Sequence, residues 1–243
     1  MDHIFISKNN IKFKVVKRTV ANTHLCYLVD LDLYRSVVIN DVTDVIINPY
    51  IFKVGYIKAS SIDEYNHSLA SGSYSVWANM IDRCYSGKNV AYKGVSVCDE
   101  WHNFITFAEW HERNYVDGWS LDKDLFSIED KTYSPSTCCY VPMIINSALR
   151  RKITIKKDMY GYYFLDSTLV ESPKKVYGYD KLDAYRLLIL HRRTYMRTLV
   201  HIYSDKLDYR VKKKLIHLYD KEGEVLKNPR SSKTKRQNPE GLS

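Results

Sequence analysis

The chain has 243 residues, 45% of them hydrophobic and 27% charged, with a formal net charge of +9. That length suits one large domain or two to three small ones, and the composition is ordinary for a folded, soluble protein. No apolar run approaches the ~20 residues that a membrane-spanning helix requires, so no membrane partner is expected.

The opening Met1-Asp2-His3-Ile4-Phe5 has no basic region followed by an apolar stretch, so no signal peptide is expected. Five cysteines without paired spacing suit free thiols in a reducing compartment, and a cytoplasmic location is expected. The charge is unevenly placed. Residues 1–149 carry 14 Lys/Arg against 17 Asp/Glu, whereas residues 150–220 carry 17 against 8 and residues 221–243 carry 6 against 3. A basic C-terminal part behind a slightly acidic front points to a polyanion partner, because Lys and Arg that neutralise phosphates release counterions.

In chain order, residues 11–15, 25–29 and 36–39 alternate in the manner of strands, with turn chemistry at residues 22–24 and 40–41. They predict a small N-terminal β module over residues 1–57. Residues 58–72 read as a polar connector. Ser73 is placed to cap a helix whose apolar face is Trp77, Met80, Ile81 and Cys84. A short strand at 94–98 and a helix over 103–112 follow, then a strand-loop-strand over 120–141 and a helix from Pro142. Beyond it, strands are predicted at 153–157, 160–165 and 174–179. A long helix starts near Asp180, with Ala184, Leu187, Leu188, His191, Tyr195, Leu199 and Ile202 on its apolar face. A last helix over 208–219 buries Val211, Leu215 and Leu218 and turns Lys212, Lys213 and Lys214 outward. Residues 221–243 lack an apolar period and read as a flexible basic tail. The fold class expected is α+β, with domains at 1–57, 58–149 and 150–220.

The string YSVWANMIDRCYSGKNVAYKGVSVCDEWHNFITFAEW (residues 74–110) resembles a stretch common to phage HNH homing endonucleases. SLDKDLFSIEDKTYSPSTCCYVPMIIN (120–146) is similar to the ββα-metal hairpin and helix of that family, and INPYIFKVGYI (47–57) to its upstream junction. KVYGYDKLDAY (175–185) followed by LLILHRRTYMR (187–197) resembles, more weakly, the APETALA-type DNA-binding domain often attached to such nucleases. The resemblance implies a three-stranded sheet laid against double-stranded DNA and braced by a helix from behind.

An HNH centre needs a general base, usually His, and one divalent cation. The resemblance places the metal ligands on Asp122 and Asn146, the base position on Lys123 and the central structural Asn on Thr137. An ammonium has no lone pair with which to activate water, so the centre is expected to be impaired. His102 and His111 lie in the same segment as stand-in bases, but the plainer reading of each is a surface or half-buried helix residue. Cys84, Cys98, Cys138 and Cys139 number enough for zinc. However, adjacent strand residues such as Cys138 and Cys139 face opposite ways, so buried thiols are expected and zinc is not.

The residues expected to contact DNA are Lys152, Lys156, Lys157, Tyr160, Tyr162, Lys174, Lys175 and Tyr177 on the strands, with Arg192, Arg193 and Arg197 on the helix. The function expected is a sequence-specific double-stranded-DNA-binding protein derived from a phage or mobile-element homing endonuclease. It would act as a transcriptional repressor rather than an enzyme and need no cofactor. Two alternatives stand beside it: a nicking endonuclease using Mg²⁺ at Asp122 and Asn146, and a protein whose basic surface meets an acidic protein partner. Oligomeric state and target sequence are not legible.

Overall fold

The computed structural model describes residues 3–18, 22–42, 44–126, 129–151, 154–166 and 174–220. Helices and several small sheets occur together, so the class is α+β. The chain divides into two compact units, Met1–Tyr115 with Lys131–Thr137, and Val116–Asp130 with Cys138–Ser243. Residues 116–130 and 138–149, expected to group with residue 58 onward, therefore cluster with 150–220 instead.

The first unit opens with four strands, β1 (Phe5–Ile6), β2 (Lys12–Arg18), β3 (Thr23–Leu28) and β4 (Leu33–Val38), in an antiparallel sheet of that order. Alternation along β2 and β3 sends Phe13, Cys26 and Leu28 into a core closed by Leu33, Val37, Ile39, Val45 and Ile47. The stretch expected to be a polar connector holds a helix, α1 (Ile62–Ala70). Ile62, Tyr65 and Leu69 stand at helical spacings of 3 and 4, but only Tyr65 of them is buried, and the polar residues between them make the stretch read as a connector. The start signal is chemical instead. The Ser61 hydroxyl accepts the Glu64 N–H at 3.1 Å while the Glu64 carboxylate reaches back to Ser60.

Ser73 does not cap α2 (Ser73–Tyr85). That position falls to Gly72, whose φ of 72° suits a residue without a β-carbon. Ser73 is the first helical residue and is fully buried, its hydroxyl 2.7 Å from that of Ser71. After β5 (Ser96–Val97), Asn103 caps α3 (Phe104–Asn114). The same Asn103 amide accepts the Lys58 N–H at 2.9 Å and donates to the Lys58 carbonyl at 3.2 Å, fastening the incoming chain. Between α2 and α3 lies an aromatic core. Trp77 donates from Nε1 to the Trp101 carbonyl at 2.7 Å, and Trp101 packs on Phe107 and Trp110 at centroid distances of 5.1 and 4.7 Å. Burying one such side chain contributes on the order of 2–3 kcal/mol.

The chain then leaves for the second unit with β6 (Trp119–Asp122) and returns with β7 (Thr132–Tyr133), which pairs in parallel with β5. It leaves again with β8 (Cys139–Pro142), antiparallel to β6 with Asp122 opposite Cys139. α4 (Met143–Arg150) follows directly. Three short strands, β9 (Lys156–Asp158), β10 (Gly161–Asp166) and β11 (Lys174–Gly178), form an antiparallel sheet in the order β11-β10-β9. Tyr160, expected on a strand, sits in the turn before β10.

α5 (Lys181–Ile202) starts at Asp180, whose carboxylate accepts the Asp183 N–H at 2.8 Å while Asp183 accepts the Tyr179 N–H at 2.9 Å. It buries Ala184, Leu188, Tyr195 and Leu199 as expected, but also Ile189, Met196 and Val200. Ile202, expected inside, is 62% exposed. The second stripe exists because α6 (Tyr209–Ile216) lies against α5, and Val211 and Leu215 join one core with Met196, Leu199, Val200 and Ile145. Leu218 only borders that core.

Candidate nucleic-acid interface

The β9–β11 sheet has two unlike faces, fixed by Phe164. That side chain is buried and its ring lies 5.8 Å from His191 of α5. Residues opposite one another across antiparallel strands share a face, and alternate residues along a strand change face. Tyr162, Phe164, Val176, Lys157 and Lys174 are therefore on the α5 side, together with Asp166, which meets His191 Nε2 at 2.9 Å. Lys156, Asp158, Tyr163, Leu165, Lys175 and Tyr177 form the outer face.

On that outer face Lys156, Tyr163 and Tyr177 occupy one row across the three strands. The rings of Tyr163 and Tyr177 are 5.5 Å apart, and Tyr160 meets Tyr177 edge-on at 6.4 Å. Lys175 crosses the Tyr163 ring at 4.6 Å and its ammonium reaches Asp158 at 2.6 Å. The Tyr177 hydroxyl donates to the same carboxylate at 2.9 Å. The Lys175 ammonium holds the Asp158 carboxyl below the ordinary carboxylate range, and Asp158 in turn raises the lysine. Cations fixed over flat aromatic rings can meet phosphates and stack on sugars or bases, and the hydroxyls and ammonium groups can donate to base edges.

Of the residues expected to contact DNA, Lys156, Lys175 and Tyr177 come together on this face with Tyr160 at its rim. Lys157, Tyr162 and Lys174 fall on the opposite side, where Lys157 lies 5.1 Å over the Tyr162 ring. Lys152 is outside the described residues. Arg193 donates to the Tyr219 carbonyl, and Arg193 and Arg197 pair with Asp220 at 3.4 and 2.9 Å, so both fasten the turn after α6 to α5. Arg192 is half-buried on the same helix, behind the sheet rather than on its outer face. Tyr163 and Asp158 were not singled out from the sequence. No local signal marks them out, since Phe164 and its neighbour Leu165 are both apolar and only the burial of Phe164 fixes which neighbours point away from the helix.

The hairpin residues form a second cluster. Asp122 is buried, and its Oδ1 accepts backbone N–H groups from Asp124 at 3.0 Å and Leu125 at 2.8 Å. Asn146, also buried, donates from Nδ2 to Ser120 Oγ at 2.9 Å, while its Oδ1 accepts Arg150 Nε at 3.0 Å. An amide ligates a hard cation through its carbonyl oxygen, and here that oxygen faces a guanidinium. These residues as arranged do not fit the divalent cation that the nuclease resemblance implies.

Lys123 pairs with the neighbouring Asp124. Thr137 does tie its loop, donating to the Thr132 carbonyl at 2.6 Å and accepting the Ser134 N–H at 3.0 Å. His102 and His111 belong to the first unit, Asp122, Lys123 and Asn146 to the second. His102 Nε2 is 3.1 Å from the Tyr85 hydroxyl. His111 is not at the surface but 2% exposed and stacked on Tyr115, and burial lowers its pKa. Among the described residues no three His, Cys, Asp or Glu side chains converge as a metal site. Cys139 is buried and its thiol is pushed up by desolvation; Cys98 is pushed up to about 11. No helix among the described residues is long and apolar enough to cross a membrane. Searches against protein-family models, curated proteins and solved structures returned no match to this chain.

Proposed function

We propose that this protein binds double-stranded DNA in a sequence-dependent way through the outer face of β9–β11, and occupies its site rather than cutting it. The observation that carries the reading is the row Lys156–Tyr163–Tyr177 with Lys175 laid over it, on a sheet whose other face is covered by α5. Such a face presents donors, cations and flat rings on one rigid surface, which is what base-edge and phosphate contacts require. The charge balance supports it, since residues 150–220 hold 17 basic against 8 acidic side chains. The bond from Arg150 to the Asn146 carbonyl oxygen supports occupancy over cleavage, because it sets a guanidinium charge against the atom a metal cation would need. A protein that occupies an operator-like site without cutting it blocks polymerase, so the biological reading is a repressor built on a homing-endonuclease plan.

Footprinting of the full chain on phage and host DNA with Mg²⁺ present tests binding and cleavage together. A protected site without nicks is the expected result, and Lys156→Ala/Lys175→Ala should erase it. Metal-dependent nicking lost in Asp122→Ala would overturn the non-cutting reading. Duplex binding unchanged in the double variant would overturn the interface.

A further inference from the structure

A second basic surface lies on α6, within the same unit. Phe126, Tyr209, Arg210, Lys213, Lys214 and His217 line a groove of about 660 Å³, within the ~300–1,000 Å³ of ordinary ligand clefts. Lys213 and Lys214 are exposed, and no ion pair among the described residues holds either. The carboxylate at the groove, Asp220, is already shared by His217, Arg193 and Arg197. The charge of the two lysines is thus left uncompensated among the described residues.

The walls are aromatic. Arg210 lies 5.1 Å over the Phe126 ring with its Nε 3.3 Å from Asp208. Tyr209 is 74% exposed, a large flat ring that the core does not use. The last turn of α6 carries two lysines on a face with the opposite job to that of Val211 and Leu215, which are buried.

We propose that this groove holds a single-stranded nucleic-acid segment, with an unpaired base on Tyr209 and the adjoining phosphates on Lys213, Lys214 and Arg210. Unpaired bases have free π-faces for an aromatic wall, and a cationic groove beside such a wall tracks the backbone. Duplex bases are already stacked on one another and offer that ring nothing. An acidic peptide would use the lysines but gain nothing from Tyr209. The site is separate from the outer face of β9–β11, so it stands or falls independently of the duplex reading.

The test is fluorescence anisotropy of the full chain with a short labelled oligothymidylate, run beside a labelled duplex. Tyr209→Ala should weaken oligothymidylate binding about fivefold or more, the lower end of what one stacked base contributes. Tyr209→Trp should preserve it, and Lys213→Glu/Lys214→Glu should remove it at physiological salt. All three positions are exposed or on the outer side of α6, and circular dichroism of each variant checks that the fold is kept. Three results would overturn the proposal. The first is wild-type affinity in Tyr209→Ala. The second is displacement of the oligonucleotide by polyglutamate of equal charge. The third is loss of oligothymidylate binding in Lys156→Ala/Lys175→Ala, which would place both ligands on the sheet.

Discussion

Gly178 and Ala184 approach so closely that a β-carbon on Gly178 would stand 2.2 Å from the Ala184 backbone nitrogen. The end of β11 and the first turn of α5 are therefore in backbone contact, and the obstacle is main chain rather than a side chain that could swing aside. Gly178→Ala should push α5 off the sheet and destabilise the second unit by at least the ~1–3 kcal/mol typical of overpacking. Urea unfolding checks it: the midpoint should fall, and duplex binding should fall with it because the sheet loses its brace.

Asp158 neutralises Lys175 on the proposed duplex-binding face. Asp158→Asn keeps the shape and an acceptor for Tyr177 but removes the charge. Duplex affinity should rise at low salt, and the slope of log affinity against log salt should steepen by about 0.9 if Lys175 then meets one further phosphate. Gel-shift titrations over a salt series measure both.

Trp77→Phe removes the indole N–H that satisfies the buried Trp101 carbonyl. An unsatisfied buried acceptor costs about 1–3 kcal/mol, and the lost ring volume adds to that. A lowered thermal midpoint is expected, with duplex binding at low temperature unchanged because the second unit carries it.

His111 is buried between Phe107 and Tyr115, and desolvation lowers its pKa from the ordinary 6.5, with Glu112 opposing in part. The unfolded chain therefore takes up a proton on this imidazole at a higher pH than the folded one does. Stability from this residue is constant above about pH 6.5, falls as pH drops below it, and levels once native His111 protonates too. Denaturant midpoints measured downward from pH 7.5 should show the fall, and His111→Phe should flatten that part of the profile.

Much of the second unit was legible because its signals are local. Asp180 caps α5, GYYFLD is dense in strand-forming aromatic residues, and the basic excess of residues 150–220 is a matter of counting. What escaped depends on partners distant in sequence. Nothing near Arg193 or Arg197 announces that they will grip Tyr219 and Asp220, so both looked available to DNA. Tyr162 and Tyr163 are equally aromatic and equally close to lysines, and only the burial of Phe164 decides which of them faces out. Ile189, Met196 and Val200 lie off the single stripe that the 3–4 period picks out, and they are buried in the core that α6 shares. For the hairpin, the spacing of Asp122 and Asn146 carried no hint that Arg150, one turn on, would take the amide oxygen. α1 is legible only in its Ser61–Glu64 start signal and a short Ile62, Tyr65, Leu69 period set among polar residues.

The excursion of the chain into β7 has a consequence for synthesis. β5 emerges from the ribosome early, but its parallel partner Thr132–Tyr133 follows 36 residues later in register, Ser96 against Thr132. By the time that partner is available, β6 has already been made and waits for β8, which comes later still. Each unit is thus left with an unpaired strand while the other is being completed. Translation cannot finish the first unit and then begin the second. A stop anywhere from residue 116 to 131 would release a chain in which both have begun and neither has closed.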